Sequence, residues 1–266
     1  MSSPLLVRPR SGAPDGVVQR ITPDSAGWRF VGFDAIDLEP GRRLHRTDER
    51  NELCLVLVTG SARVVAGDTD FGVIGGRNSP FEGSPYSVYV PPRVPVTVEA
   101  QGPLELAICS SPAEGRFPAR LIAPADVREL VRGTGTNTRH VRNILPDTAD
   151  AETLLVVEVI TPGGHWSSYP PHKHDTDDFP QETYLEETYY HRLRRGSGFA
   201  LQRVYTKDGS LDEAMAIADR DVVLVPKGYH PVGAPHGFDL YYLNVMAGPV
   251  RQWRFSMDPD QAHLPY

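Results

Sequence analysis

The chain has 266 residues, 40% of them hydrophobic and 23% charged, with a formal net charge of −7. These are the proportions of a globular protein with room for one large domain or two ordinary ones, and the acidic balance leaves no clustered Lys and Arg of the kind that bind nucleic acid. No apolar run approaches the length of a membrane span, and Met1-Ser2-Ser3-Pro4-Leu5-Leu6-Val7-Arg8 is too short an apolar start for a signal peptide. The sequence therefore reads as cytoplasmic, with small molecules as partners and a homo-oligomer compatible with its size. Its two cysteines, Cys54 and Cys109, are expected as buried thiols rather than a disulfide.

In chain order, 25 prolines and 24 glycines separate short runs rich in β-branched and aromatic residues, at 53–58, 62–66, 87–90, 104–108, 154–160, 199–205, 221–225 and 240–246. Short strands divided by turn signals at this density predict an all-β barrel or sandwich. Only residues 124–133 read as a helix, with Val127, Leu130 and Val131 at helical spacing and Gly133 at the end. An internal repeat refines the architecture. Tyr86-Ser87-Val88-Tyr89-Val90-Pro91 lies over Asp221-Val222-Val223-Leu224-Val225-Pro226 without a gap, and Leu104-Glu105-Leu106-Ala107-Ile108 falls near Leu240-Tyr241-Tyr242-Leu243. Such self-similarity predicts two copies of one β-barrel, divided in the Gly/Thr-rich stretch 133–137: an N-terminal barrel over 1–137 and a C-terminal barrel over 138–266.

The copies differ chemically. His172 and His174 are two apart, so an extended strand turns both imidazoles to one side and Lys173 to the other. A carboxylate from Glu187 and a third imidazole from His230 would complete a three-His, one-carboxylate set for one divalent transition metal, Zn or Mn ahead of Fe, Co or Ni. In the first half the position matching His230 is Pro95 and no His-x-His occurs, so that barrel is expected to be metal-free and to serve structure.

This arrangement resembles the cupin superfamily. Gly163 and Gly164 precede His172-Lys173-His174, and Pro226-Lys227-Gly228-Tyr229-His230 is similar to its second motif, shortened by one residue. The usual Glu spacing would fall on Asp177 or Asp178, inside an acidic segment, Asp175-Thr176-Asp177-Asp178-Phe179-Pro180, that reads as an inserted loop. Glu187 is preferred to Glu182 because it opens the strand-like run Glu187-Thr188-Tyr189-Tyr190-His191. A finer match runs through Trp166-Ser167-Ser168-Tyr169-Pro170-Pro171-His172-Lys173-His174-Asp175, Leu185-Glu186-Glu187-Thr188-Tyr189-Tyr190-His191-Arg192, Gln202-Arg203-Val204-Tyr205 and Tyr241-Tyr242-Leu243-Asn244-Val245-Met246-Ala247-Gly248-Pro249. These strings resemble the 5-deoxy-glucuronate isomerase family of myo-inositol breakdown, densely from about 154 to 253 and more sparsely before.

The resemblance implies a bicupin fold, of double-stranded β-helix type, and a metal-dependent aldose–ketose isomerisation of a uronic acid in the cytoplasm. It also implies kinship with the ketol-isomerases of pectin breakdown. Such a reaction moves hydrogen from C2 to C1, with the metal as Lewis acid. A general base would carry the proton, with Glu182, Glu186 and His191 as candidates. A hydride shift would need none. Arg203 offers a planar fork for the substrate carboxylate, Lys227 a second cation, and Tyr189, Tyr190, Tyr229, Tyr241 and Tyr242 apolar walls with hydroxyl tips. The rival readings are a sugar-acid-binding bicupin without catalysis and a cupin metal dioxygenase.

Overall fold

The structure, a computed structural model, describes residues 3–264. Strands account for 48% of it and helix for 4%, which makes the chain all-β. Two compact units emerge, one of residues Arg10–Arg128 and Ile144–Val156, the other of Met1–Pro9, Glu129–Asn143 and Val157–Tyr266. The chain thus passes between units at 9/10, 128/129, 143/144 and 156/157, where the sequence reading draws a single cut at 137/138.

In the first unit the 16-residue strand Asn51–Ala66 organises everything else. Its first half pairs with Ser87–Val90 and Leu104–Pro112, its second half with Thr69–Arg77 and Val96–Ala100. The change of partners coincides with register shifts at Leu57/Thr59 and Gly60/Ser61, the bulges that let one strand bend round a corner. Gly60 sits there at φ 86, against the backbone of Pro103 where a Cβ would collide. Period-two alternation sends Leu53, Leu55 and Leu57 into a core with Val88, Val90, Leu106 and Ile108. Cys54 and Cys109 are buried and not joined in a disulfide, and stand opposite each other in the ladder.

The same unit is stitched by one carboxylate. Glu52 is fully buried and accepts backbone N–H bonds from Glu152, Thr153 and Leu154 at 2.9, 2.7 and 2.7 Å and the Tyr89 hydroxyl at 2.7 Å. These bonds hold the returning segment 144–156 in a unit made mostly of residues before 129.

A sheet drawn mostly from the second unit runs in the order Leu6–Val7, Val222–Val225, Glu186–Leu193, Leu240–Ala247, Leu154–Thr161, Arg139–Leu145, Arg128–Arg132. A four-stranded sheet holds Trp166–Ser167, Val232–Gly233, Ala200–Tyr205 and Asp212–Ile217. His172–Lys173 pairs with Ser256–Met257. The chain's start belongs here: Leu6 and Val7 extend the sheet beside Val223 and Val222, and Arg8 pairs with the buried Asp221.

The expected helix over 124–133 is not formed. Pro124–Asp126 makes one 3-10 turn, Val127 is extended, and Arg128–Arg132 becomes the edge strand of the sheet. Val131 is 65% exposed, so the three apolar residues never formed the single buried face that would stabilise a helix.

The registers support the internal repeat. Val90 lies opposite Leu53, and Leu53 opposite Ser110; Val225 lies opposite Glu187, and Glu187 opposite Met246. The ladder position held by Glu187 in one unit is therefore held by Leu53, a core residue, in the other.

Removing the Glu52 carboxylate by Glu52→Ala leaves several buried donors unpartnered and is expected to cost about 3–5 kcal/mol, read as a lowered urea midpoint. A loss below about 1 kcal/mol, the scale of an ordinary surface substitution, would show that the segment 152–154 is held by other contacts.

Candidate metal centre and its pocket

Strand alternation decides what reaches the centre. On Glu186–Leu193 the side chains of Glu187, Tyr189 and His191 share one face and those of Glu186, Thr188 and Tyr190 the other. Glu187 and Tyr189 line a pocket together with Tyr242 and Asn244 from the neighbouring strand and with Ser168 and His172. The opposite face is a separate buried network, in which Glu158 accepts from Tyr241 and from Arg142, each at 3.0 Å.

Four side chains converge in this pocket. One ring nitrogen from each of His172, His174 and His230 lies within 4.8 Å of the other two. Glu187 Oε2 is 3.2 Å from His174 Nε2 and 3.2 Å from His230 Nε2. All four residues are at most 4% exposed. Glu187 Oε2, His174 Nε2, His230 Nε2 and His172 Nδ1 are buried without a hydrogen-bond partner, which is expensive unless something else satisfies them. His174 Nδ1 faces the Leu185 carbonyl at 3.1 Å and His230 Nδ1 the Gly228 carbonyl at 2.9 Å. A carbonyl only accepts, so each Nδ1 carries the proton and each Nε2 lone pair points into the cluster.

The electrostatics keep two of the three imidazoles neutral and so ready to act as ligands. Burial, followed by the neighbouring His230 and His174, holds His172 well below its ordinary range, and burial lowers His230 to about 4. His174 is also opposed by burial, but Glu187 outweighs it and raises its proton affinity. Donors 3.2 Å apart match neighbouring ligands that each stand about 2.0–2.2 Å from one ion, so the residues fit a divalent metal.

Backbone constraints set the second motif against the first. Gly228 has φ 88 and its missing Cβ would stand 2.4 Å from the Tyr205 carbonyl. Tyr205 and Tyr229 exchange backbone hydrogen bonds at 2.9 and 2.8 Å, and the Gly228 N–H donates to Asp175 at 2.7 Å. Asp175 thereby ties the residue after His174 to the turn before His230. The Ser256–Met257 strand and the rings of Trp253 and Phe255, 6.1 and 4.7 Å from the His172 ring, close the other side.

The other sequence candidates lie elsewhere. Glu182 accepts the N–H groups of Asp175 and Thr176, both at 2.9 Å, and the Lys173 ammonium at 2.8 Å, so it staples the acidic loop. Glu186 is on the face away from Glu187. His191 shares the Glu187 face but sits beyond Tyr189, its ring 5.9 Å from that ring and its Nε2 3.1 Å from Gln202; burial lowers it to about 3. Arg203 points outward and grips Asp212 with two bonds of 2.7 and 2.8 Å. Lys227 donates to Ser210 at 3.0 Å and shares with Tyr229 an open surface depression. Tyr241 belongs to the Glu158 network. Of the tyrosines singled out from sequence, Tyr189 and Tyr242 line the pocket; the pocket residues missed from sequence include Asn244, Ser168, Trp253, Arg132 and Arg139. Alternation from Glu187 through its ladder partner Met246 would have found Asn244; Arg132 was hidden by the expected helix.

Glu187→Gln is expected to weaken metal binding by more than about 100-fold, beyond the usual cost of losing a supporting partner, whereas Glu182→Gln should stay within about tenfold. Competitive chelator titration with elemental analysis reads both. Retention of full affinity by Glu187→Gln, or an emptied site in Glu182→Gln, would transfer the ligand role to the loop.

The likeness to known proteins is continuous along the chain. Residues 5–264 match the KduI/IolB family. The chain is 52% identical over 259 residues to the 5-deoxy-glucuronate isomerase of Geobacillus kaustophilus, covering 97% of this chain and 94% of that protein. It is 46% identical to that of Bacillus subtilis strain 168, covering 96% of each. The crystal structure of an IolB-like protein from Salmonella typhimurium superposes with a TM-score of 0.94 at 53% identity, over 97% and 98% of the two chains. An oxalate decarboxylase of Bacillus subtilis matches at TM-score 0.65 and 14% identity, over 97% of this chain and 80% of its own, which relates the two as bicupin folds. With its matched residues spanning both units and the convergent cluster, the chain belongs to the KduI/IolB family.

Proposed function

We propose that this protein is a metal-dependent aldose–ketose isomerase that converts 5-deoxy-D-glucuronate to 5-dehydro-2-deoxy-D-gluconate in myo-inositol catabolism. The reading rests foremost on the full-length likeness to 5-deoxy-glucuronate isomerases. The buried cluster supplies the chemistry, with His172, His174, Glu187 and His230 as ligands of one ion, Zn or Mn before Fe, Co or Ni. When bound, such an ion would supply Lewis-acid polarisation of the carbonyl and stabilise the negative charge that develops next to it.

The chain's own residues do the rest. Ser168, held at φ 49, places its hydroxyl 3.0 Å from the Tyr189 hydroxyl. Both line the pocket beside Glu187, and this hydroxyl pair is suited to pass a proton between the two substrate oxygens that exchange roles. Tyr242, Val157, Val159 and Trp253 wall the pocket with apolar surface, which limits the water that would otherwise quench a reactive intermediate. For the carbon-bound hydrogen none of the three sequence candidates lines the pocket: Glu182 is engaged by the loop, Glu186 faces away, and His191 sits behind Tyr189 with its Nε2 on Gln202. No helix among the described residues is long and apolar enough to cross a membrane, and a cytoplasmic catabolic role accords with that. The first unit, whose Leu53 stands where Glu187 stands in the second, serves as scaffold without a metal of its own.

Elemental analysis should return one divalent metal per chain, lost in the His172→Ala, His174→Ala double variant. Metal-loaded protein incubated with 5-deoxy-D-glucuronate under nitrogen should yield the ketose by NMR. No turnover would favour a sugar-acid-binding protein, and turnover only with oxygen would favour a dioxygenase.

A further inference from the structure

We infer that Arg132 and Arg139, with the indole N–H of Trp253, form the subsite that reads the carboxylate of the substrate and makes the enzyme specific for a sugar acid. This deepens the isomerase reading and rests on it for the identity of the ligand.

The two guanidiniums are the only cationic side chains among the residues that line the pocket, since burial keeps His172 neutral. They come from sheet neighbours, Arg128–Arg132 and Arg139–Leu145, so both project from one wall. Arg139 is 4% exposed, and its Nη1 donates to the Asn137 carbonyl at 3.1 Å, a bond that holds the group in the pocket wall. Arg132 is half-buried, lies 5.0 Å over the Trp253 ring, and makes no salt bridge among the described residues. Trp253 Nε1, on a ring that lines the same pocket, is buried with no acceptor. A fixed pair of cationic forks and an unmet N–H donor, set in a cavity walled by Val141, Val157 and Val159, form a site built for a planar anion. The desolvated setting makes the interaction strong and selective, because a neutral group in the same place would leave the donors unpaired. Neither Arg203 nor Lys227 offers this: the first is neutralised by Asp212 and the second is an exposed loop cation.

The test compares the metal-loaded wild type with Arg132→Gln and Arg132→Lys on two compounds, 5-deoxy-D-glucuronate and its neutral analogue 5-deoxy-D-glucose, in which CH₂OH replaces the carboxylate. Calorimetric affinities accompany steady-state rates, so that the subsite is read even without turnover. Arg132→Gln should weaken binding and kcat/KM for the acid on the order of 100-fold while changing the neutral analogue less than about threefold. Arg132→Lys, which keeps the charge and loses the fork, should fall between. Metal content and melting temperature should match the wild type. Equal losses on both compounds would give Arg132 a merely structural role, and an unchanged affinity for the acid would place the carboxylate elsewhere; either overturns the proposal. A wild type that binds the acid through Arg132 but does not convert it would sink the isomerase reading and leave the subsite standing.

Discussion

Four polar atoms of the second unit are buried together without hydrogen-bond partners, and the surrounding strands are arranged to keep them there. Burying even one such group uncompensated costs on the order of 1–3 kcal/mol, and four in one place amount to a demand for a ligand. The Nδ1 bonds of His174 and His230 to the Leu185 and Gly228 carbonyls each fix one ring, while the Asp175 bridge to Gly228 and the pairing of His172 with Met257 join segments far apart in sequence. Together they turn strand register into the geometry of the cluster.

The two units show the same ladder put to different ends. At the register position of Glu187 the first unit has Leu53, packed among Leu55, Leu57, Val88 and Ile108. There the carboxylate that matters is Glu52, on the other face of the strand, where it collects backbone N–H groups of 152–154. One residue of displacement along a strand separates a member of the buried His/Glu cluster from a structural staple, because the side-chain period is two.

That period also explains what could be read from the sequence and what could not. The His-x-His pair, the Gly-containing turn before His230 and the strand opening at Glu187 each carry local signals, so the convergence of these side chains was legible, as was the all-β class. Parity across a ladder needs a register that no local motif supplies. Tyr241 and Tyr242 are adjacent and chemically alike, yet one faces Glu158 and the other the pocket. Arg203 has the right chemistry on the wrong face, and its neighbour Gln202 points inward to His191. Arg132 was lost to an apparent helical spacing that edge pairing overrode, and Trp253 and Phe255 reach His172 only through a C-terminal strand of two residues. Glu182 seemed a candidate base or ligand until its neighbours were seen to be N–H donors of its own loop.

The most direct measurement is X-ray absorption at the edge of the metal bound by the full-length protein, in wild type and in Glu187→Gln. The wild-type spectrum should fit three imidazoles and one carboxylate oxygen at roughly 2.0–2.2 Å, and Glu187→Gln should lose the oxygen scatterer or the ion itself. A shell that includes sulfur, fewer than three imidazoles, or a spectrum unchanged by Glu187→Gln would contradict the convergence of His172, His174, Glu187 and His230 on one ion.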